Sequence, residues 1–205
     1  MKKEINDIKN LKEGQMKEVN IEGHDILLAK VKGQYHAMIS KCSHVGGPLA
    51  DGVLKDGRVR CPWHQACFDI FTGELEEPPA IDSLPLLDVS VENGKIFVNI
   101  PDDLKEITIP EIAGYDSSID DRHFVVLGGG AAGSAAVETM RLAGFRGKIT
   151  MISAENVLPY NRTQLSKSFI SENESSLPVM RSKDFYRDFQ IDLKLGKKVI
   201  LVLIK

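Results

Sequence analysis

The sequence predicts a chain of two unlike domains. A small antiparallel all-β domain covers residues 1–100, and the start of a parallel-stranded α/β domain covers residues 122–205. Three observations carry this. The first hundred residues hold short alternating or apolar runs set apart by turn dipeptides, the pattern of hairpins. From His123 the pattern becomes strand, glycine-rich turn, helix, strand. The charge balance changes sign between the two. Residues 1–100 carry 12 basic and 15 acidic side chains, residues 101–120 carry 1 and 6, and residues 121–205 carry 13 and 8.

The elements follow in order. "MKEVNI" (16–21), "DILLAKV" (25–31) and "QYHAMIS" (34–40) read as strands, with turns at Glu22-Gly23-His24 and Lys32-Gly33-Gln34. Asp56-Gly57 and Asn93-Gly94 each mark a hairpin, because these dipeptides accept the positive φ of a type I′ turn. Val89, Val91, Ile96 and Val98 alternate and are expected on the buried face of the second hairpin. Residues 101–121 are acidic, hold two prolines and lack a strong period, so they read as an interdomain linker. "HFVVLGGG" is a strand running into glycines, "AAGSAAVETMRLAG" a helix ending at Gly144, and "KITMIS" the next strand. The apolar end, "KKVILVLIK", reads as a further strand.

Bulk properties exclude several classes. A net charge of −3 argues against nucleic acid as a partner. No run approaches 18 apolar residues, so no membrane span is expected. The first 19 residues are charged and lack an apolar core, which excludes a secretory signal; they also hold acidic residues and no Arg, against a mitochondrial presequence. Three cysteines are no disulfide framework and suit a reducing compartment. A cytoplasmic location is expected, with mitochondrial association as the other option.

All three cysteines and two of the five histidines lie between residues 41 and 69. Their order is Cys42-x-His44, sixteen residues, then Cys61-x-x-His64. Thiolates are the usual ligands of iron–sulfur clusters, and neutral imidazoles bind iron well. One Cys and one His in each half match a [2Fe–2S] centre in which two His replace two Cys on one iron. A zinc site is the competing reading, but zinc pairs usually run C-x2–4-C and H-x3–5-H, and neither spacing occurs. An oxygenase would need a second iron on a 2-His-1-carboxylate triad. The remaining His24, His36 and His123 are scattered.

"CSHVGGPLADG" and "CPWHQACFDIFTGE" resemble the two cluster loops of Rieske-type ferredoxins. The resemblance covers residues 1–100 and implies that Cys42 and Cys61 bind one iron, and His44 and His64 the other. "EEPPAIDSLP" resembles the Pro-rich third loop that covers the cluster. Respiratory-chain members carry two further cysteines that bridge the loops. Gly47 and Trp63 stand at those positions, so no such bridge is implied here. Gln65 stands where the family usually has Gly, and Cys67 matches a non-ligand position. Trp63 is read first as packing across the cluster loops and second as a docking surface.

Gly128-x-Gly130-x-x-Gly133 follows a strand and opens a helix, and Glu155 stands just past the next strand. That context suits a dinucleotide site: pyrophosphate at the helix N-terminus, and a carboxylate on the ribose. "LPYNRTQLSKSF" resembles a segment of FAD-dependent pyridine nucleotide–disulfide oxidoreductases of the apoptosis-inducing-factor and ferredoxin-reductase group. Its Arg162 and Lys167 are implied to lie near the flavin. The layout resembles Rieske-containing apoptosis-inducing-factor-like proteins: a Rieske domain, a linker, then a Rossmann-like FAD domain. In that family the flavin domain is much longer and carries an NAD(P)H domain, so the chain reads as C-terminally truncated. FAD is then expected to be weakly held or absent, and NAD(P)H to act only in a full-length form.

Three functions are weighed. The first is a one-electron [2Fe–2S] carrier linked to a flavin module. The second is the N-terminal fragment of an NAD(P)H-dependent FAD oxidoreductase that feeds its own cluster. The third is a scaffold with no redox role. The redox partner protein is not specified by the sequence.

Overall fold

The computed structural model describes residues 1–5, 11–109, 112–167 and 177–201. The chain splits into two compact units, Met1–Pro110 and Glu111–Lys205.

The first unit is antiparallel β throughout. Its strands are β1 (Lys2–Ile5), β2 (Met16–Ile21), β3 (His24–Val31), β4 (Gln34–Ile39), β5 (Val53–Lys55), β6 (Arg58–Arg60), β7 (Cys67–Asp69), β8 (Leu75–Glu77), β9 (Leu86–Leu87), β10 (Val89–Glu92) and β11 (Lys95–Asn99). They form three sheets in the orders β1-β11-β10, β2-β3-β4-β9 and β5-β6-β7-β8. Ile26, Leu27, Leu28, Ala29 and Met38 of β3 and β4 join Leu49, Val59, Phe68 and Ile70 in one buried core. The near-continuous apolar run 26–29 fits a central strand covered on both faces.

The hairpin turns share one device. Glu22-Gly23, Lys32-Gly33, Asp56-Gly57 and Asn93-Gly94 each have positive φ at both residues. That is the type I′ geometry whose twist matches the flanking strands. One sequence expectation is corrected. Ile96 and Val98 are buried, but Val91 is 55% exposed. It pairs with Ile96 in register, but it sits one pair from the Asn93-Gly94 turn, beyond the edge of the core that Val89 still packs against.

The stretch read as a linker is held from both sides. Leu104 packs on the first core and Thr108 pairs with Ser83. Ile112 packs on the second core, and the Ala113 N–H donates to the Arg141 carbonyl.

The second unit holds β12 (His123–Leu127), α1 (Ala131–Leu142), β13 (Lys148–Ile152), α2 (Lys183–Asp188) and β14 (Ile191–Lys194). The strands are parallel in the order β12-β13-β14, with α1 as the first crossover. This is the start of a Rossmann-like domain. Helix α1 ends at Gly144 as expected: Gly144 has φ +84°, its N–H donates to the Arg141 carbonyl, and the Phe145 N–H donates to the Met140 carbonyl. Those two bonds satisfy the last turn. The expected strand at the C-terminal end is not seen in Lys197–Leu201, which have no regular structure. Its remainder, 202–205, lies outside the described residues, as do Ser168 and Phe169 of the flavin-like segment.

Candidate metal centre

The four sequence-predicted ligands sit on two loops with the same backbone. The first loop leaves β4 and ends at a short 3₁₀ turn, Leu49–Asp51; the second joins β6 to β7. In the first, Lys41 pairs with Pro48; in the second, Arg60 pairs with Cys67. The Cys42 N–H donates to the Gly47 carbonyl and the Gly46 N–H to the Cys42 carbonyl, both at 2.9 Å. The Cys61 N–H donates to the Ala66 carbonyl at 2.9 Å, and the Gln65 N–H to the Cys61 carbonyl at 3.2 Å. Counted from each cysteine, the partners are the same. The fourth residue after it is left-handed in both, Gly46 at φ +73° and Gln65 at +69°.

This explains the glutamine. The turn needs positive φ, and Gln65 adopts it at a steric cost of roughly 1–2 kcal/mol. The Gln65→Gly variant should therefore be more stable by about 1 kcal/mol, with the denaturant midpoint raised and the slope unchanged. No change in midpoint would mean that the loop is not strained there.

The loops bring the ligands together in pairs. Cys42 and Cys61 are both buried, and their thiols lie within electrostatic reach of each other. Burial pushes the Cys42 thiol up to about 11, and the neighbouring Cys61 adds to this, while the N–H groups of His44 and Val45 bond the sulfur and oppose it. Two backbone donors aimed at one sulfur suit a thiolate held by iron, and ligation there must release the proton. The His44 and His64 rings lie beside each other, centroids 4.9 Å apart and nearly perpendicular. His64 is exposed and His44 half-buried, so the histidine side of the site reaches solvent through His64 while the cysteine pair is buried in the core. Among the described residues no three His, Cys, Asp or Glu side chains could share one metal ion. That is a poor site for zinc, but a two-iron cluster asks only two protein ligands of each metal.

Two neighbours shape the site. A Cβ built on Gly47 would lie 2.8 Å from the Cys61 sulfur and 3.3 Å from the Trp63 ring, so the absence of a side chain makes room for both. Trp63 is 56% exposed, and it packs on Gly47 with its remaining surface in solvent. Cys67 is fully buried and burial raises its thiol, the behaviour of a small core residue. Arg60 was not singled out by sequence. Its guanidinium bonds the Gln65 carbonyl at 3.0 Å and Glu77 at 2.8 Å, bracing the second loop against β8.

In the second unit the three motif glycines do different work. Gly128 has φ +114°. A Cβ on Gly133 would stand 1.9 Å from the Gly128 carbonyl oxygen, so α1 can approach the turn only without one. Gly130, the N-cap of α1, has open space around it and no side-chain cap, which leaves helix N–H groups free to meet a phosphate. Gly129 was not singled out, yet a Cβ there would meet Ser153 Oγ at 2.7 Å. Glu155 follows β13 and forms an ion pair with Arg162, whose guanidinium also lies 5.2 Å over the Tyr160 ring. Lys167 is placed after the 3₁₀ turn Arg162–Gln164.

Residues 2–90 match the Rieske [2Fe-2S] domain family. The ferredoxin subunit of 3-phenylpropionate/cinnamic acid dioxygenase from Escherichia coli (strain K12) is 38% identical over 78 residues, covering 38% of this chain and 74% of that protein. The chain belongs to the Rieske [2Fe–2S] family. Beyond the Rieske domain, residues 122–202 match the pyridine nucleotide-disulphide oxidoreductase family. Apoptosis-inducing factor 3 of Homo sapiens is 39% identical over 204 residues, which is 95% of this Rieske chain and 33% of that protein. The chain thus spans about one third of the length of that relative. Among solved structures, the Sphingomonas yanoikuyae B1 ferredoxin is 26% identical and covers 45% of this chain and 91% of that one, with a TM-score of 0.43. No helix among the described residues is long and apolar enough to cross a membrane.

Proposed function

We propose that this chain is a one-electron carrier whose Rieske domain holds a [2Fe–2S] cluster on Cys42, His44, Cys61 and His64, linked to a flavin oxidoreductase module. The observation that carries this is the pair of matching loops, which bring two buried cysteines together and set the two imidazole rings 4.9 Å apart. The cluster, when bound, supplies reversible one-electron chemistry. The protein supplies the rest. Burial keeps water from the sulfurs, the His44 and Val45 N–H groups stabilise charge on Cys42, and the exposed His64 edge gives an electron a short path to a partner. The connecting segment 101–121 separates the Rieske domain, 1–100, from the flavin-type unit, 122–205. In that unit Gly128, Gly130, Gly133 and Glu155 would take the adenosine half of FAD, with Arg162 and Lys167 toward the flavin. NAD(P)H is the donor class this family implies for the longer relatives. A cytoplasmic location and a protein redox partner belong to the same proposal.

The test is analytical. The purified chain should contain about two irons and two sulfides and give a paramagnetic signal on reduction. A colourless, iron-free protein from cells grown with iron would overturn the reading. The reduction potential should fall toward the lower end of the Rieske range of roughly −150 to +300 mV. Gly47 and Trp63 exclude a loop-bridging disulfide, and no hydroxyl-bearing residue stands between Cys61 and Asp69 to bond a cluster sulfur. Voltammetry returning about +250 mV or more would contradict this.

A further inference from the structure

The two ligand loops share a backbone but not their support. The second is braced within its own sheet, where Arg60 holds the Gln65 carbonyl and Glu77. The first has a different anchor. Ser43, between Cys42 and His44, donates its hydroxyl to the Asp82 carbonyl at 2.6 Å. The next residue, Ser83, pairs with Thr108: the Ser83 N–H donates to the Thr108 carbonyl at 3.1 Å, and the Thr108 N–H to the Ser83 carbonyl at 2.9 Å. Ser83 also accepts the Leu75 N–H on its hydroxyl at 3.1 Å, which ties the third loop to β8. Thr108 is itself steadied by Leu104, packed on the first core. Glu106 and Ile107 line a cavity of about 380 Å³ together with Cys42, Ser43 and Gly46. The segment that leaves the Rieske domain therefore runs back past the loop that carries Cys42 and His44.

We propose that residues 104–108 and Ser43 position the Cys42/His44 loop, through the Ser83 and Asp82 backbone, and leave the Cys61/His64 loop untouched. This rests on the reading of Cys42 and His44 as iron ligands. The physical case is a series connection. The Ser43 hydroxyl leans on the Asp82 carbonyl, and the adjoining Ser83 is held by Thr108 on one side and by the Leu75 N–H on the other. Releasing Ser43 cuts the link to the first loop and releasing Thr108 loosens it, so residues 104–108 report mechanically to one half of the cluster site.

The experiment uses the full chain, purified with its cluster. Ser43→Ala removes the hydroxyl, Thr108→Pro removes one backbone donor, and Leu104→Ala loosens the segment without touching either bond. Hydrogen exchange is read at the Gly46 amide of the first loop and at the equivalent Gln65 amide of the second. Each variant should raise exchange at Gly46 at least fivefold and leave Gln65 and the central strand β3 unchanged. Each should also release its cluster to a chelator at least fivefold faster, followed by loss of visible absorbance. The double variant Ser43→Ala/Thr108→Pro should be no faster than Ser43→Ala alone, because that change already cuts the contact through which Thr108 acts. Equal exchange increases at Gly46 and Gln65, or additive release rates, would overturn the proposal. So would wild-type rates in all three variants. If the wild-type protein carries no iron, it is the ligand assignment that fails; the exchange asymmetry, which needs no iron, still decides whether the segment positions the loop.

Discussion

The His64→Ala variant should lose the paramagnetic signal of the reduced [2Fe–2S] centre. Removing a group that only orients a ligand already costs 10–100-fold in metal affinity. Removing the ligand itself should cost at least about 100-fold, enough to empty the site during purification. The loop would survive, because the bonds from Cys61 N–H to the Ala66 carbonyl and from Gln65 N–H to the Cys61 carbonyl do not involve the imidazole. Loss of signal therefore reports ligation and not unfolding, provided that hydrogen exchange at Cys61 stays slow. Cys42→Ser should act the same way at the other iron. An undiminished signal in either variant would overturn the ligand assignment.

Replacing Arg141 should be the most damaging single change in the second unit. Its side chain is fully buried on α1 and, among the described residues, is paired with no carboxylate. Instead it donates to four backbone carbonyls: Phe189 at 3.0 Å, Phe145 at 2.7 Å, Gly147 at 2.9 Å and Gln190 at 3.1 Å. These carbonyls belong to the turns that lead into β13 and β14, so one guanidinium sets both strands against the helix. Burial holds its pKa below the usual arginine range, yet it remains charged at neutral pH. Arg141→Met keeps most of the volume and strands the carbonyls. Each unsatisfied buried polar group costs about 1–3 kcal/mol, and with some rescued by water the loss should be about 4 kcal/mol. Arg141→Lys, with a point charge and no planar fork, should recover only part. The readout is hydrogen exchange at Ile149–Ile152: protection should collapse there in Arg141→Met while β3 keeps its own. A variant with wild-type protection at β13 would show that the carbonyls are satisfied in another way.

Local signals were legible and long-range ones were not. The turns at Asp56-Gly57 and Asn93-Gly94, the end of α1 at Gly144 and the ligand spacing all depend on residues within a few positions of one another, so the one-dimensional pattern contains them. The pairing of the candidate ligands across two loops could be read too, because each half carries its own Cys and His. What escaped has no local signature. Strand β1 is a charged run with one apolar residue turned inward, and only β11 makes it a strand. Helix α2 is six residues long and is marked by little more than the Ser182 cap. Arg141 looked like any arginine on an amphipathic helix, since its four acceptors lie up to 49 residues away. Thr108 lay in a stretch that composition marked as a linker, and its partner is 25 residues upstream. Val91 failed for the opposite reason: its alternation was right, but the core did not extend to it.

The pairing of β1 with β11 has a consequence for how the chain assembles. The β2–β3, β3–β4, β5–β6 and β10–β11 hairpins close through short turns and can form as soon as their residues are available. Strand β1 joins Lys2 to Asn99 and Ile5 to Ile96, which requires closing a loop of about one hundred residues. That entropy is recovered only after both partners exist, so β1 is expected to be the last strand of its sheet to dock. Until it does, β11 presents an open edge with its N–H and C=O groups unpaired, next to the apolar Ile96 and Val98. The interval before β1 arrives is thus when the nascent chain is most exposed to pairing with a neighbour, and the first few residues serve as the cover that ends it.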